Sequence, residues 1–316
     1  RTTPRSAEKR RHYSRLMNVP YQPTRPCQSR RLPVRGLEYH LHVWGDPMAS
    51  DSPVLLMLHG FMDLGASFQF MVDAMREGRG IVAPDWRGFG RTAPAPAVDA
   101  YWFADYLGDL DALGDALSPD RPFDLLGHSM GGNVAMTYAG VRPSRVRRLI
   151  NLEGFGLPDA PASEAPSRLA LWLDQLKQPL SMKAHASREA LAARLQHGNP
   201  RLGADQAAWL AGQWAEPDDL GRWHLRADAS HRRVNPVLYR AEEALATWKA
   251  IQAPVLWVEG ALSTPEAHWA GRYSRAEFHR RLSVVPDVRR EILAEAAHMV
   301  HHDQPGTLAR LVDGFL

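Results

Sequence analysis

The sequence predicts an α/β fold: a mostly parallel central sheet with helices on both faces and a helical segment inserted into it. Three observations carry this expectation. Short, continuously apolar runs of the kind that fill a sheet buried on both sides stand at 54–58 and 81–83, and further short strand segments follow at 123–126, 146–152 and 254–259. Between them lie segments whose apolar residues fall three and four apart. The alternation stops at Pro158 and resumes only after Asn235. A chain of 316 residues, 45% of them hydrophobic, is long enough to bury roughly three quarters of its unfolded surface in one such core.

In chain order, residues 1–35 form a basic N-terminal arm. Nine arginines and Lys9 stand there against Glu8, a local charge of +9 in a chain whose net charge is +3, so the remainder carries −6. The simplest account is a solvated extension, since positive charge alone says little about nucleic-acid reading. Residues 37–44 alternate as an edge hairpin strand, 54–58 is a central strand, and 66–77 has helical spacing. The strand at 81–83 ends in Pro84-Asp85, a clearer helix spans 101–117, and 123–126 is again a strand. A helix over 130–138 and a strand over 146–152 complete the first part.

From 156 to 235 the chain offers helices near 166–177, 187–196 and 204–214, with Trp172, Trp209, Trp214 and Trp223 among them. After it come a helix near 239–249, the strand 254–259, a helix near 265–280, a strand near 289–294 and a closing helix after Asp303 with Pro305 in its first turn. The expected organisation is therefore a core of 36–155 and 236–316 interrupted by an insertion at 156–235.

Cys27 is the only cysteine, which excludes an intramolecular disulfide and any multi-thiolate metal site. No apolar run approaches the roughly 18 residues of a membrane span, and no hydrophobic signal-peptide stretch opens the chain. A soluble, cytoplasmic protein is expected, with a trimmed leader compatible with a start lacking methionine.

The chemistry concentrates at Gly127-His128-Ser129-Met130-Gly131, between an apolar strand and a helical segment. There a serine sits on a tight strand-to-helix turn, with glycines leaving room for close backbone passage. Ser129 is the expected nucleophile and needs a base, because a hydroxyl at its ordinary pKa attacks poorly. His298, in the loop before the closing helix, is the expected base, while His301 and His302 are expected to be surface or hydrogen-bonded histidines. The His-x-x-His-His spacing has no acidic ligand of known facing geometry, so no metal is expected, and no organic cofactor.

An imidazole base needs a carboxylate to orient it. After the strand 254–259 the turn reads Gly260-Ala261-Leu262-Ser263, without one. The strand 146–152, however, leads into Glu153, at the sheet edge where such folds place functional groups. Glu153 is the expected acid, with Glu259 the first alternative and Glu266 behind it. Arginine partners for Glu153, such as Arg87 or Arg91, would mark a merely structural role. The amides of Phe61 and Met130 are the candidate oxyanion donors. His59 is expected to be a structural hydrogen-bonder.

These motifs resemble the α/β-hydrolase superfamily over roughly residues 35–316. His59-Gly60, Asp85-x-Arg87-Gly88-x-Gly90, the Gly127 to Gly131 turn and the His298 loop followed by Asp303-x-Pro305 occur in its order. The resemblance implies that Asp85, Arg87, Gly88 and Gly90 shape a loop and that 156–235 is a helical lid. It also implies an aspartate where Ser263 stands. Members similar to haloalkane dehalogenases take their acid from the position matched by Glu153. Their nucleophile is an aspartate, whereas Ser129 implies acyl transfer instead. The expected activity is a cofactor-independent serine hydrolase of carboxylic esters with a largely apolar pocket. Lactones, thioesters, amides and activated C–C bonds, or a noncatalytic ligand-binding homologue, are the alternatives. A small-molecule substrate is expected, no nucleic-acid partner, and the oligomeric state is open.

Overall fold

The computed structural model describes residues 20–48, 51–92 and 98–316. The basic arm expected at 1–35 lies outside the described residues as far as residue 19. Among the described residues, eight strands form the main sheet: β1 (Gln28–Val34), β2 (Leu37–Trp44), β3 (Leu55–Leu58), β4 (Ile81–Pro84), β5 (Phe123–His128), β6 (Val146–Leu152), and further on Val255–Gly260 and Val288–Leu293. Two short strands of the insertion, β7 (Ala215–Pro217) and β8 (Trp223–Leu225), precede the last two in sequence, which are therefore β9 and β10. The order across the main sheet is β1-β2-β4-β3-β5-β6-β9-β10. β2 pairs antiparallel with β1 and β4, and the strands from β4 to β10 run parallel.

The apolar runs are buried on both faces, as continuous runs require. Leu56, Leu58, Leu125, Leu149 and Trp257 point into one core, packed by α2 (Phe103–Leu117) and α3 (Met130–Val141). Leu55, Met57, Leu126, Ile150 and Val258 point into the other, which Met71 and Val72 of α1 (Gln69–Ala74) close together with Leu308 and Val312 of the last helix. Truncating one of these side chains to alanine costs about 2–5 kcal/mol.

Two expectations about elements need correction. The arm stops short of residue 35, because Gln28–Val34 is the edge strand and β2 lies inside it. Arg30 and Arg31 are both exposed, one on each face of this edge strand, and read as arm charge in sequence although they belong to a strand. The segment near 265–280 is two helices, α8 (Pro265–His268) and α9 (Arg275–Leu282). Ala270 and Gly271 adopt positive φ between them, and the Ser274 hydroxyl caps the second by accepting from the Glu277 amide at 3.1 Å.

The insertion is helical, as expected, and carries a short hairpin as well. α4 (Ala165–Leu176) belongs to the larger unit of residues 25–183 and 226–316. Residues 184–225, with the described residues 20–24, make a second compact unit containing α5 (Arg188–Gly198), α6 (Ala204–Trp214) and the β7–β8 hairpin. Asp218 turns that hairpin, its Oδ1 accepting from the amides of Leu220 at 3.0 Å and Arg222 at 2.8 Å. α7 (Ala241–Lys249) then returns the chain to the core, which ends with α10 (Val300–Asp303) and α11 (Pro305–Phe315). Among the described residues no helix is long and apolar enough to cross a membrane.

Candidate active site

Strand register brings distant residues level at the C-terminal edge of the parallel strands. Leu58 pairs with Gly127, His128 with Leu152, Leu152 with Val258, and Gly260 with Leu293. The residues following these positions therefore share one rim. Ser129 leaves β5 with φ +52° and ψ −113°, and its amide donates to the Leu152 carbonyl at 2.8 Å. Glu153 leaves β6 with φ +58°, and its amide donates to the Val258 carbonyl at 3.1 Å. Left-handed backbone at a non-glycine residue costs on the order of 1–3 kcal/mol, and it persists where surrounding structure over-determines it.

Tight packing holds the turn around Ser129. A Cβ added to Gly131 would stand 2.1 Å from the Leu58 carbonyl oxygen, and one on Gly127 would stand 2.3 Å from that of Gly131. Ser129 occupies the N-cap of α3 but its side chain caps nothing there. Its Oγ lies instead 3.0 Å from His298 Nε2. His298 Nδ1 lies 3.1 Å from Glu153 Oε2. Hydroxyl, imidazole and carboxylate thus form one hydrogen-bonded chain. The imidazole is 52% exposed, and the carboxylate at its far end is buried.

The Glu153 carboxylate is fixed at both oxygens. Oε1 accepts from the Gly260 amide at 2.6 Å, and Oε2 accepts from the Ser263 hydroxyl at 2.6 Å as well as facing His298. Neither Arg87 nor Arg91 pairs with it: Arg87 grips Asp109 at 2.5 and 2.6 Å, and the Arg91 amide donates to Asp85. The two alternative acids point elsewhere. Glu259 receives Trp257 Nε1 at 2.8 Å, Arg275 Nη1 at 2.7 Å and faces His279 Nε2 at 3.0 Å. Glu266 accepts from the Arg275 amide at 2.6 Å.

Phe61 follows Gly60 in the loop after β3. A Cβ on that glycine would lie 3.2 Å from Ser129 Cβ, so the loop runs directly past the nucleophile turn. Met130 is the first residue of α3, and helix geometry leaves its amide without an intrahelical acceptor. His59 is a structural bonder, its Nε2 accepting from the Trp86 amide at 2.9 Å. Asp85 gathers His40, His42 and the amides of Gly65 and Arg91, which shapes the loop carrying Gly88 and Gly90 at positive φ.

Of the surface or hydrogen-bonded setting expected for His301 and His302, the surface one is overturned, since both are buried, while His302 is hydrogen-bonded to the Ser67 backbone. Packing against Phe68 and Phe70 draws them inward, and burial pushes the His302 imidazole down to about 3. Sequence reasoning passed over His128. Its Nε2 donates to the His298 carbonyl at 2.8 Å, and burial holds its pKa well below the ordinary histidine value, so it stays neutral. Only its place beside Ser129 hinted at this. Asp63 was likewise missed: it sits 3.8 Å from His301, and nothing in the sequence connects the two.

A serine hydrolase-like protein of Danio rerio is 25% identical over 297 residues, covering 90% of this chain and 87% of that protein. The 3-hydroxybutyrate-oligomer hydrolase of Cupriavidus necator is 30% identical over 233 residues, covering 70% and 76%. The thioesterase domain from the curacin biosynthetic pathway superposes with a TM-score of 0.78 at 27% identity, covering 90% of this chain and 99% of the domain. The family profile described as alpha/beta hydrolase fold matches residues 53–305. With that match added to the sheet order and the nucleophile turn, the chain belongs to the α/β-hydrolase superfamily.

Proposed function

We propose that this protein is a serine hydrolase that cleaves carboxylic esters through an acyl-enzyme. The observation that carries this reading is the unbroken chain from Ser129 Oγ through His298 to Glu153, at 3.0 and 3.1 Å. His298 Nε2 takes the Ser129 proton as the hydroxyl attacks the ester carbonyl. The carbonyl carbon becomes tetrahedral, and its oxygen, now negative, is held by the amides of Phe61 and Met130. His298 then protonates the departing alkoxide. Water enters and attacks the acyl-enzyme as the same imidazole takes its proton; His298 then returns that proton to Ser129 Oγ as the bond to the acyl carbon breaks, releasing the acid. Glu153 keeps Nδ1 protonated and stabilises the imidazolium, an acid position similar to that of haloalkane-dehalogenase-like members.

An apolar substrate is supported by Phe61, Leu157 and Leu262, large exposed hydrophobic residues on loops that follow β3, β6 and β9 at this rim. Leu169, Leu171 and Leu173 of α4 are exposed as well, and Trp172 meets Trp102 edge-on at 6.5 Å. That helix is proposed as part of a lid with an apolar inner surface. The relatives named for a 3-hydroxybutyrate-oligomer hydrolase and a thioesterase domain are consistent with acyl transfer.

The test is covalent labelling by a serine-reactive phosphonate. One label per chain is expected, lost in Ser129→Ala, together with turnover of chromogenic esters that exceeds turnover of matched lactones and an amide. Folded protein that takes no label is a noncatalytic homologue. Labelling accompanied by better turnover of another class assigns the same machinery to that class.

A further inference from the structure

We propose that Asp63, His128 and His301 form a buried site for one zinc-class divalent metal ion, set behind the nucleophile turn and separate from the Ser129–His298–Glu153 chain. The three come from the loop after β3, the last residue of β5 and α10. One ligand atom from each lies within 4.8 Å of the other two, and all three residues are buried, His301 completely. Folding thus supplies the facing carboxylate that the histidine spacing alone lacked.

The argument rests on unfilled valences. Asp63 Oδ1 accepts from the Leu64 amide at 2.8 Å and from the Ser67 hydroxyl, but Oδ2 has no hydrogen-bond partner among the described residues. His128 commits Nε2–H to the His298 carbonyl, so the nitrogen it has left, Nδ1, carries a lone pair, and that atom too has no partner. Neither ring nitrogen of His301 is hydrogen-bonded; Nε2 stops 3.8 Å short of Asp63 Oδ2. Buried polar atoms in folded proteins are nearly always satisfied, and each one left open costs about 1–3 kcal/mol. Asp63 Oδ2 and His128 Nδ1 are both acceptors and cannot satisfy one another. The His301 Nε2 contact with Asp63 Oδ2 reaches only one of them and leaves His128 Nδ1 open.

A cation answers all three lone pairs at once. Two imidazoles and one carboxylate are a donor set that zinc-class ions take, and the outer contacts are of the supporting kind: a ligating histidine bonded through its other nitrogen to a carbonyl, a ligating carboxylate held at its second oxygen. Around a tetrahedral ion with bonds of 2.0–2.1 Å, ligand atoms stand about 3.3–3.4 Å apart. The 3.8 Å between His301 and Asp63 therefore closes by about half an ångström on binding. The other histidine and carboxylate group, His40, His42 and Asp85, has no such vacancy in its valences, because both Asp85 oxygens already accept. Metal at His128 also bears on His298, whose carbonyl His128 holds.

The test incubates the purified full chain with excess Co²⁺, removes free ion by gel filtration, and measures retained metal together with the visible spectrum. Expected are one Co²⁺ per chain, the strong absorption of low-coordinate Co²⁺ with nitrogen and oxygen ligands, and slow release to chelator. Asp63→Asn and His301→Gln should each lower retention by about tenfold or more. Circular dichroism and serine labelling check that the variants fold. If they do not, the wild-type spectrum and release rate decide. Three results overturn the site: no stoichiometric retention, the weak absorption of octahedral Co²⁺ with immediate release, or retention that survives both variants and disappears in His42→Gln. The first would mean that water fills the space.

Discussion

The Ser263 hydroxyl donates to Glu153 Oε2 across 2.6 Å, from the position where the superfamily resemblance places a carboxylate. A small donor stands there, and the buried carboxylate that faces His298 stands at the end of the neighbouring strand of the sheet. The two placements are complementary, because a carboxylate at each position would put like charges within hydrogen-bond reach. Ser263→Ala should lower turnover by roughly tenfold, the scale of one hydrogen bond to a charged group. Ser263→Asp should lower it further, since the two acids must share a proton. Steady-state kinetics of both variants checks this, and equal activity of Ser263→Asp and wild type would refute the pairing.

Glu153→Gln should leave the fold intact and reduce kcat on the order of 10⁴-fold, because the imidazole loses the group that sets its tautomer and stabilises its charge. Glu259→Gln is the informative contrast. Its carboxylate pairs with Arg275 and faces His279, so its loss should appear as a stability decrease of about 3–5 kcal/mol, with kcat of the folded fraction little changed. Denaturant melts beside kinetics separate the two outcomes.

Gly131→Ala should destabilise the protein by several kcal/mol, on the order of severe core overpacking. The new Cβ meets the Leu58 carbonyl at 2.1 Å, and backbone cannot step aside as a flexible side chain can. Gly306→Ala, on α11, meets nothing nearer than the end of Arg310 at 3.7 Å and should be neutral or slightly stabilising. Urea midpoints of the pair provide the comparison.

Stability should fall on acidification from about pH 6.5 towards 4. His231 lies stacked between Phe89 and Tyr101, ring centroids 3.7 Å from each, and burial pushes its imidazole down to about 4. Its folded pKa lies below the unfolded value, so between the two the unfolded chain binds more protons and stability rises with pH. The contribution lost is at most roughly 3 kcal/mol. His231→Gln should flatten the acid limb of a melting-temperature profile, whereas an unchanged limb would assign it to other groups.

Much of the site was legible because its signals are local. Glycines around Ser129 mark a tight turn after a buried strand, and His298 precedes a helix opened by Pro305. Glu153 was legible indirectly, through the carboxylate missing at Ser263. The edge strand Gln28–Val34 was not, since its outward arginines resemble a solvated arm until β2 pairs with it.

The sequence by itself determined which segments are strands, which serine stands on the turn and which histidine can reach it, because apolar periodicity and turn chemistry depend on neighbours along the chain. Tertiary structure alone decided that Glu153 rather than Glu259 faces the imidazole, that Ser263 supports it, and that Asp63 meets His128 and His301. Those meetings depend on sheet order and register, in which strands remote in sequence become neighbours and their C-terminal residues converge on one edge.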